Sequence, residues 1–192
     1  MTDAAAALAA GEVVILPTDT VYGLCAAATE EGTERLYAVK GRAARQPTAL
    51  VAATVDQLLA AVPELDGALV RSLLPGPFTL VVPNPACRYA WLTGERPDAI
   101  GVRVPEWPAS AARAVATAGP VVATSANLPG GRDPRRVEDI PTELRDRVAA
   151  IVDAGELPGT PSTVVDLTAD EPRIIREGAV PSSDVLARLA RR

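Results

Sequence analysis

The sequence of 192 residues contains no histidine and two cysteines. Without an imidazole there is no Ser-His-Asp or Cys-His catalytic pair, and no histidine-containing zinc site. Cys25 and Cys87 lie far apart, fit no metal or redox spacing, and read as buried thiols. Aromatic residues make up only 3% of the chain, so platforms for stacked bases are scarce and aliphatic side chains must fill the interior. The net charge is −5 and no long basic run occurs, which argues against a protein whose main task is to neutralise a nucleic-acid backbone. No apolar segment approaches the ~20 residues of a membrane-spanning helix. The apolar stretch over 4–10 is short, lacks a basic flank and runs straight into a strand, unlike a secretory leader. A soluble cytoplasmic protein is the expectation.

Hydrophobic residues at 48% and charged residues at 22% are ordinary for a globular chain. A single domain over 1–192 is expected, burying roughly 70% of the surface its unfolded form exposes. The patterning predicts a helix over 4–10, capped by Thr2 or Asp3 and ended by Gly11, then a strand over 12–16. Thr29 caps a helix over 30–39 whose Leu36 and Val39 face inward. A strand over 48–53 runs into a capping box formed by Thr54 and Gln57. A helix over 65–74 stops at Pro75, Gly76 and Pro77, and a strand over 78–82 follows. Residues 83–97 read as an irregular surface excursion. Strands over 100–104 and 120–123 flank a helix over 108–118. The remainder reads as a helix over 142–148, a strand over 150–152, a loop over 155–161, strands over 164–167 and 173–176, and a helix from Ser182 or Ser183 to 191. Alternating strands and helices, with Pro- and Gly-broken hairpins towards the end, predict an α/β fold with a mixed parallel and antiparallel sheet.

Four polar clusters each sit where a predicted element ends: Thr18, Asp19 and Thr20; Lys40, Gly41 and Arg42; Thr124, Ser125 and Asn127; Ser162 and Thr163. In open α/β sheets, strand ends form the crevice that binds ligands, so these clusters can converge there. Lys40 is the only lysine in an arginine-rich chain, and Asn84 and Asn127 are the only asparagines. Each is either wanted for its chemistry or a chance survivor of composition. Arg103, inside an apolar run, points either to solvent from an edge strand or into a cleft to grip an anion. Lys40, Arg42, Arg103 and Arg176, with the Ser and Thr hydroxyls, suit a multiply anionic ligand. Neither the P-loop nor the Gly-x-Gly-x-x-Gly fingerprint is present, so any nucleotide is held another way.

Six motifs in order, PTDTVYGL (17–24), KGR (40–42), PGPFTLVV (75–82), GVRVP (101–105), ATSAN (123–127) and PSTVVDL (161–167), resemble the YrdC/TsaC family. The resemblance implies a YrdC-like twisted sheet flanked by helices, with a positively lined cavity. It implies a nucleotidyltransferase that makes L-threonylcarbamoyladenylate and pyrophosphate from L-threonine, bicarbonate or CO2, and ATP, for threonylcarbamoyladenosine modification of tRNA by separate transferase proteins. Thr18 or Thr20, Arg103 and Ser162 would then hold threonine. Lys40 and Arg42 would meet the triphosphate as catalytic residues, and Ser125, Asn127 and Arg176 would help hold ATP. Mg²⁺ would ride on the phosphates without a dedicated protein cage; Asp19 either assists it or closes a turn. Glu177 stands where such sequences usually carry proline. The alternatives are a carbamoyl-adenylating domain, an RNA-binding module with a basic cavity and weak tRNA contact, and a nucleotide sensor without turnover.

Overall fold

The computed structural model describes residues 3–41 and 46–190. Among these, strands β1 (Val14–Pro17), β2 (Tyr22–Ala27), β3 (Ala49–Val51), β4 (Phe78–Pro83), β5 (Ala99–Arg103), β6 (Val121–Ser125), β7 (Ala150–Ile151), β8 (Thr163–Asp166) and β9 (Arg173–Arg176) form one sheet. Its order is β7-β1-β2-β6-β3-β5-β4-β8-β9. The β1–β7, β3–β5 and β4–β8 pairs are parallel and the other neighbours are antiparallel. The sheet is therefore mixed, as the sequence pattern predicts.

Helices α1 (Ala4–Ala9), α2 (Glu30–Lys40), α3 (Val55–Ala61), α4 (Gly67–Leu73), α5 (Ala109–Ala118), α6 (Thr142–Arg145) and α7 (Ser182–Leu189) connect and cover the strands. Thr29 accepts the Gly32 N–H to start α2, and Gly41 in the left-handed region ends it. Those caps satisfy groups that a helix terminus otherwise leaves unpaired. Thr54 does the same for α3 through the Gln57 N–H, while the Gln57 side chain reaches back to the Ala53 N–H.

The two faces of the sheet are used differently. On one, Leu24, Leu50, Leu80, Ile100, Val102 and Val122 pack with Leu36, Leu58, Leu73 and Val185 from α2, α3, α4 and α7. Each fully buried aliphatic side chain there contributes roughly 1.5–3 kcal/mol relative to exposure. On the other, α1 and α5 cover Val14, Leu16, Cys25 and Val121 with Leu8, Ala111 and Val115. Further along this second face the side chains shrink to Gly23, Ala49, Ala99, Gly101 and Ala123, which floor a cavity.

Several boundaries differ from the sequence reading. Strand β6 continues through Thr124 and Ser125 because they pair with Leu24 and Gly23 of β2. Helix α4 begins at Gly67, since Asp66 turns its carboxylate onto the Ala68 and Leu69 N–H groups and caps there. Helix α6 stops at Arg145, and Arg191 lies outside the described residues. Cys25 is buried, whereas Cys87 is exposed, a correction to the expectation of two buried thiols. Cys87 sits in a turn whose backbone is fastened by Asn84, which donates to the Arg88 and Pro97 carbonyls and accepts from the Arg88 N–H. Asn84 thus has a structural task.

Candidate functional site

The site begins in the loop between β1 and β2. The Thr18 hydroxyl donates to the Val21 carbonyl at 2.7 Å and accepts from the Thr20 and Val21 N–H groups at 3.2 Å. A short polar side chain in this way replaces the backbone partners that a tight turn loses. Thr18 Oγ1 also lies 2.9 Å from Thr20 Oγ1. Its hydrogen is committed to Val21, so Thr20 donates to it and keeps lone pairs for another partner.

That partner is Arg103, whose Nη2 donates to Thr20 Oγ1 at 2.7 Å and to Asp19 Oδ1 at 2.6 Å. The other carboxylate oxygen of Asp19 accepts the Glu106 N–H at 3.0 Å. Arg103 lies on β5, an interior strand between β3 and β4, so it points into the cavity and not from an edge to solvent. Its Nε is buried with no hydrogen-bond partner. Burial pushes the Arg103 pKa below the usual guanidinium value and Arg176 acts the same way, whereas the Asp19 carboxylate supports the charge. Asp19 closes the loop onto Arg103 and Glu106, which favours the turn over the metal among the two roles open to it.

A second cluster faces the first across β4. The β4–β5 register sets Leu80 opposite Val102 and so brings Thr79 beside Arg103. Thr79 Oγ1 and Ser162 Oγ are 2.8 Å apart. Arg176, on β9, donates from Nη2 to the Ser162 carbonyl at 2.8 Å and to its hydroxyl at 3.3 Å. Glu177 accepts from the backbone and hydroxyl of Ser182 at the start of α7, while its neighbour Arg176 is held on Ser162.

A third cluster stands at the end of β6. Lys40, only 5% exposed, donates to the Ser125 carbonyl at 2.5 Å and to Asn127 Oδ1. The Ser125 hydroxyl donates to the same Asn127 oxygen at 2.7 Å. Asn127 Nδ2 donates to the Gly131 carbonyl at 2.7 Å and to Asp133 at 3.3 Å. Lys40 and Asn127 therefore lie behind the wall that Ser125 and Asp133 present. Arg42 lies outside the described residues.

The cavity has a volume of about 660 Å³, within the span typical of small-molecule sites. Thr18, Arg103, Ser125, Ser162 and Arg176 border it, whereas Thr20 is fully buried behind Arg103. The clusters meet over a face of the sheet, floored by mid-strand residues, and not at the carboxyl ends of the strands. Sequence reasoning passes over Thr48, Thr93, Glu95, Arg96 and Asp133, which also line the cavity. Thr93, Glu95 and Arg96 belong to the irregular excursion, where no periodicity marks an inward side. Arg96 is held there by Thr168 at 3.3 Å and Asp166 at 3.7 Å. Among the described residues no group of three or more His, Cys, Asp or Glu gathers as a metal cage, and no helix is long and apolar enough to cross a membrane.

The Sua5/YciO/YrdC family model, described as telomere recombination, matches residues 6–178. The threonylcarbamoyl-AMP synthase of Pyrococcus abyssi is 33% identical over 180 residues, covering 91% of this chain and 53% of its own length. That of Vibrio campbellii is 34% identical over 182 residues, covering 90% and 95%. The crystal structure of P. abyssi Sua5 complexed with L-threonine aligns with a TM-score of 0.83 at 30% identity, over 97% of this chain and 56% of that one. The chain thus spans about half the length of the Pyrococcus relative and nearly all of the Vibrio one. Matched across most of its length by the family model and by relatives above 30% identity, the chain belongs to the Sua5/YciO/YrdC family.

Proposed function

We propose that the chain forms threonylcarbamoyl-AMP and pyrophosphate from L-threonine, carbon dioxide or bicarbonate, and ATP, acting as a nucleotidyltransferase. The observation that carries this reading is Arg103, a guanidinium that lines the cavity from an interior strand and whose buried Nε has no hydrogen-bond partner. A family relative named Sua5 has been crystallised with L-threonine, and relatives across species are named threonylcarbamoyl-AMP synthase.

The chemistry asks for positioning more than for a protein nucleophile. Threonine's amine adds to CO2, forming an N–C bond and releasing a proton to solvent. A carbamate oxygen then attacks the α-phosphorus of ATP, forming an O–P bond as the bond to the β-phosphate's bridging oxygen breaks and pyrophosphate leaves. With no histidine in the chain, and Cys25 buried with its thiol pushed up to about 12, the reading assigns catalysis to held geometry and fixed charge. Arg103 would pair with the threonine carboxylate, with Thr18 and Ser162 as neighbouring hydroxyls. Arg176 and Ser125 would face the nucleotide. Lys40 and Asn127 would brace Ser125 from behind, and Arg42 would meet the triphosphate. Mg²⁺ would arrive with ATP, held by phosphate oxygens and water and neutralising phosphate charge, with Glu95 and Asp133 as the cavity carboxylates beside it. The product would pass to tRNA threonylcarbamoyl transferase proteins.

The test is mass spectrometry of threonylcarbamoyl-AMP, with pyrophosphate release, from threonine, bicarbonate, ATP and Mg²⁺. Release that needs both threonine and bicarbonate is expected. Equal release with either one omitted overturns the reading.

A further inference from the structure

The Asp19–Arg103 pair is the most deeply placed ion pair in the described residues, with side chains 9% and 13% exposed. Nothing in the proposed chemistry consumes Asp19: it touches neither the cavity's open space nor a reacting atom. Yet a buried carboxylate costs free energy unless it is paired and hydrogen-bonded. Both of its oxygens are occupied, one by Arg103 Nη2 and the other by the Glu106 N–H. It therefore bridges the β1–β2 loop, the end of β5 and the chain just beyond it.

The consequence falls on the guanidinium. Among the described residues, Nη2 makes every hydrogen bond of Arg103, to Asp19 and Thr20, and Nε makes none. A planar fork pinned at one corner has a fixed orientation, and its remaining donors keep the direction that pinning gives them. We propose that Asp19 is the positioning residue of a carboxylate subsite, holding Arg103 by one corner so that its free donors meet the α-carboxylate of the amino-acid substrate. This rests on the amino-acid substrate of the preceding reading.

The experiment measures binding of L-threonine and of L-threoninamide, which lacks the carboxylate charge, by calorimetry on the full chain without ATP. The wild-type protein is expected to prefer threonine by about tenfold or more, the scale of a charged hydrogen bond. In Asp19→Ala this preference should collapse towards one, with the ATP affinity changed less than about twofold. Asp19→Asn, nearly isosteric and safer for folding, should reduce the preference in the same direction, because an amide cannot accept from both Arg103 and the Glu106 N–H. A preference that survives in both variants overturns the role of Asp19. So does a parallel loss of threonine and ATP binding, which marks a merely structural residue. Absence of any threonine preference in the wild-type protein would instead count against the amino-acid reading itself, so the two failures are distinct.

Discussion

Lys40 carries donors only, and that one property orders its surroundings. The Asn127 amide must turn its oxygen to the ammonium, the Ser125 hydroxyl donates to the same oxygen, and the amide nitrogen is left for Gly131 and Asp133. The Ser125 oxygen then meets the cavity with lone pairs, an acceptor where the bare sequence suggests a donor. Cys25 gives the residue scale a measurable pH dependence. Burial raises its thiol from 9.0 to about 12, and Arg103 only partly opposes this. The folded state thus keeps a proton that the unfolded chain releases, so the stabilisation is fully present below pH 9 and is lost as pH rises towards 12. Tyr22, raised mainly by burial from 10.0, acts in the same direction at higher pH. Urea unfolding from pH 8 to 10 should show stability falling with a slope approaching about 1.4 kcal/mol per pH unit, the value for one proton. Cys25→Ala should flatten that slope; an unchanged slope would assign it elsewhere.

At the level of elements, the connection leaving β9 is fixed by the segment entering β8. The Gly178 N–H donates to Thr163 Oγ1 at 3.0 Å and the Ala179 N–H to the Pro161 carbonyl at 2.8 Å. A Cβ on Gly178 would stand 2.2 Å from the Pro161 oxygen and 2.6 Å from the Ser162 carbonyl. The added methyl group would meet backbone and not a flexible side chain, so one of the two segments must move. Gly178→Ala should lower stability by about 1–3 kcal/mol, as overpacking does, and weaken ligands that use Ser162; thermal unfolding within 1 °C of wild type would show that the segment yields freely. This constraint is invisible in the sequence, because a glycine between Glu177 and Ala179 looks like any loop glycine. The starts of α2 and α3 are legible for the opposite reason: Thr29 and Thr54 act on N–H groups three residues away, within the span that a local pattern describes. The length of β6 is not legible, since Thr124 and Ser125 become strand only through pairing with β2.

Across the whole molecule, the same distinction between local and non-local causes decides what the sequence shows. The mixed α/β architecture follows from alternation. The polar clusters at Asp19, Arg103, Ser125 and Ser162 stand out because each is bracketed by apolar runs. Their meeting place does not, because it depends on the order β6-β3-β5-β4-β8 and on which face α1 and α5 leave uncovered. The cavity exists because that face carries glycine and alanine where the opposite face carries leucine and isoleucine. Gly101 tests this directly. A Cβ there meets only ordinary contacts, 3.7–3.9 Å from Ala49 and Thr48, and a β-branched side chain suits a strand. Gly101→Val should therefore fold, with unliganded stability within about 1 kcal/mol of wild type, while its methyl groups take space from the ligand. In the wild-type protein, ATP and threonine at about a hundred times their dissociation constants should each add roughly 2.7 kcal/mol. That corresponds to a rise of about 5–10 °C in Tm for a chain of this size. The variant should lose most of that rise at the same ligand concentrations. A full ligand-induced shift in a folded Gly101→Val protein would move the binding site away from the sheet face.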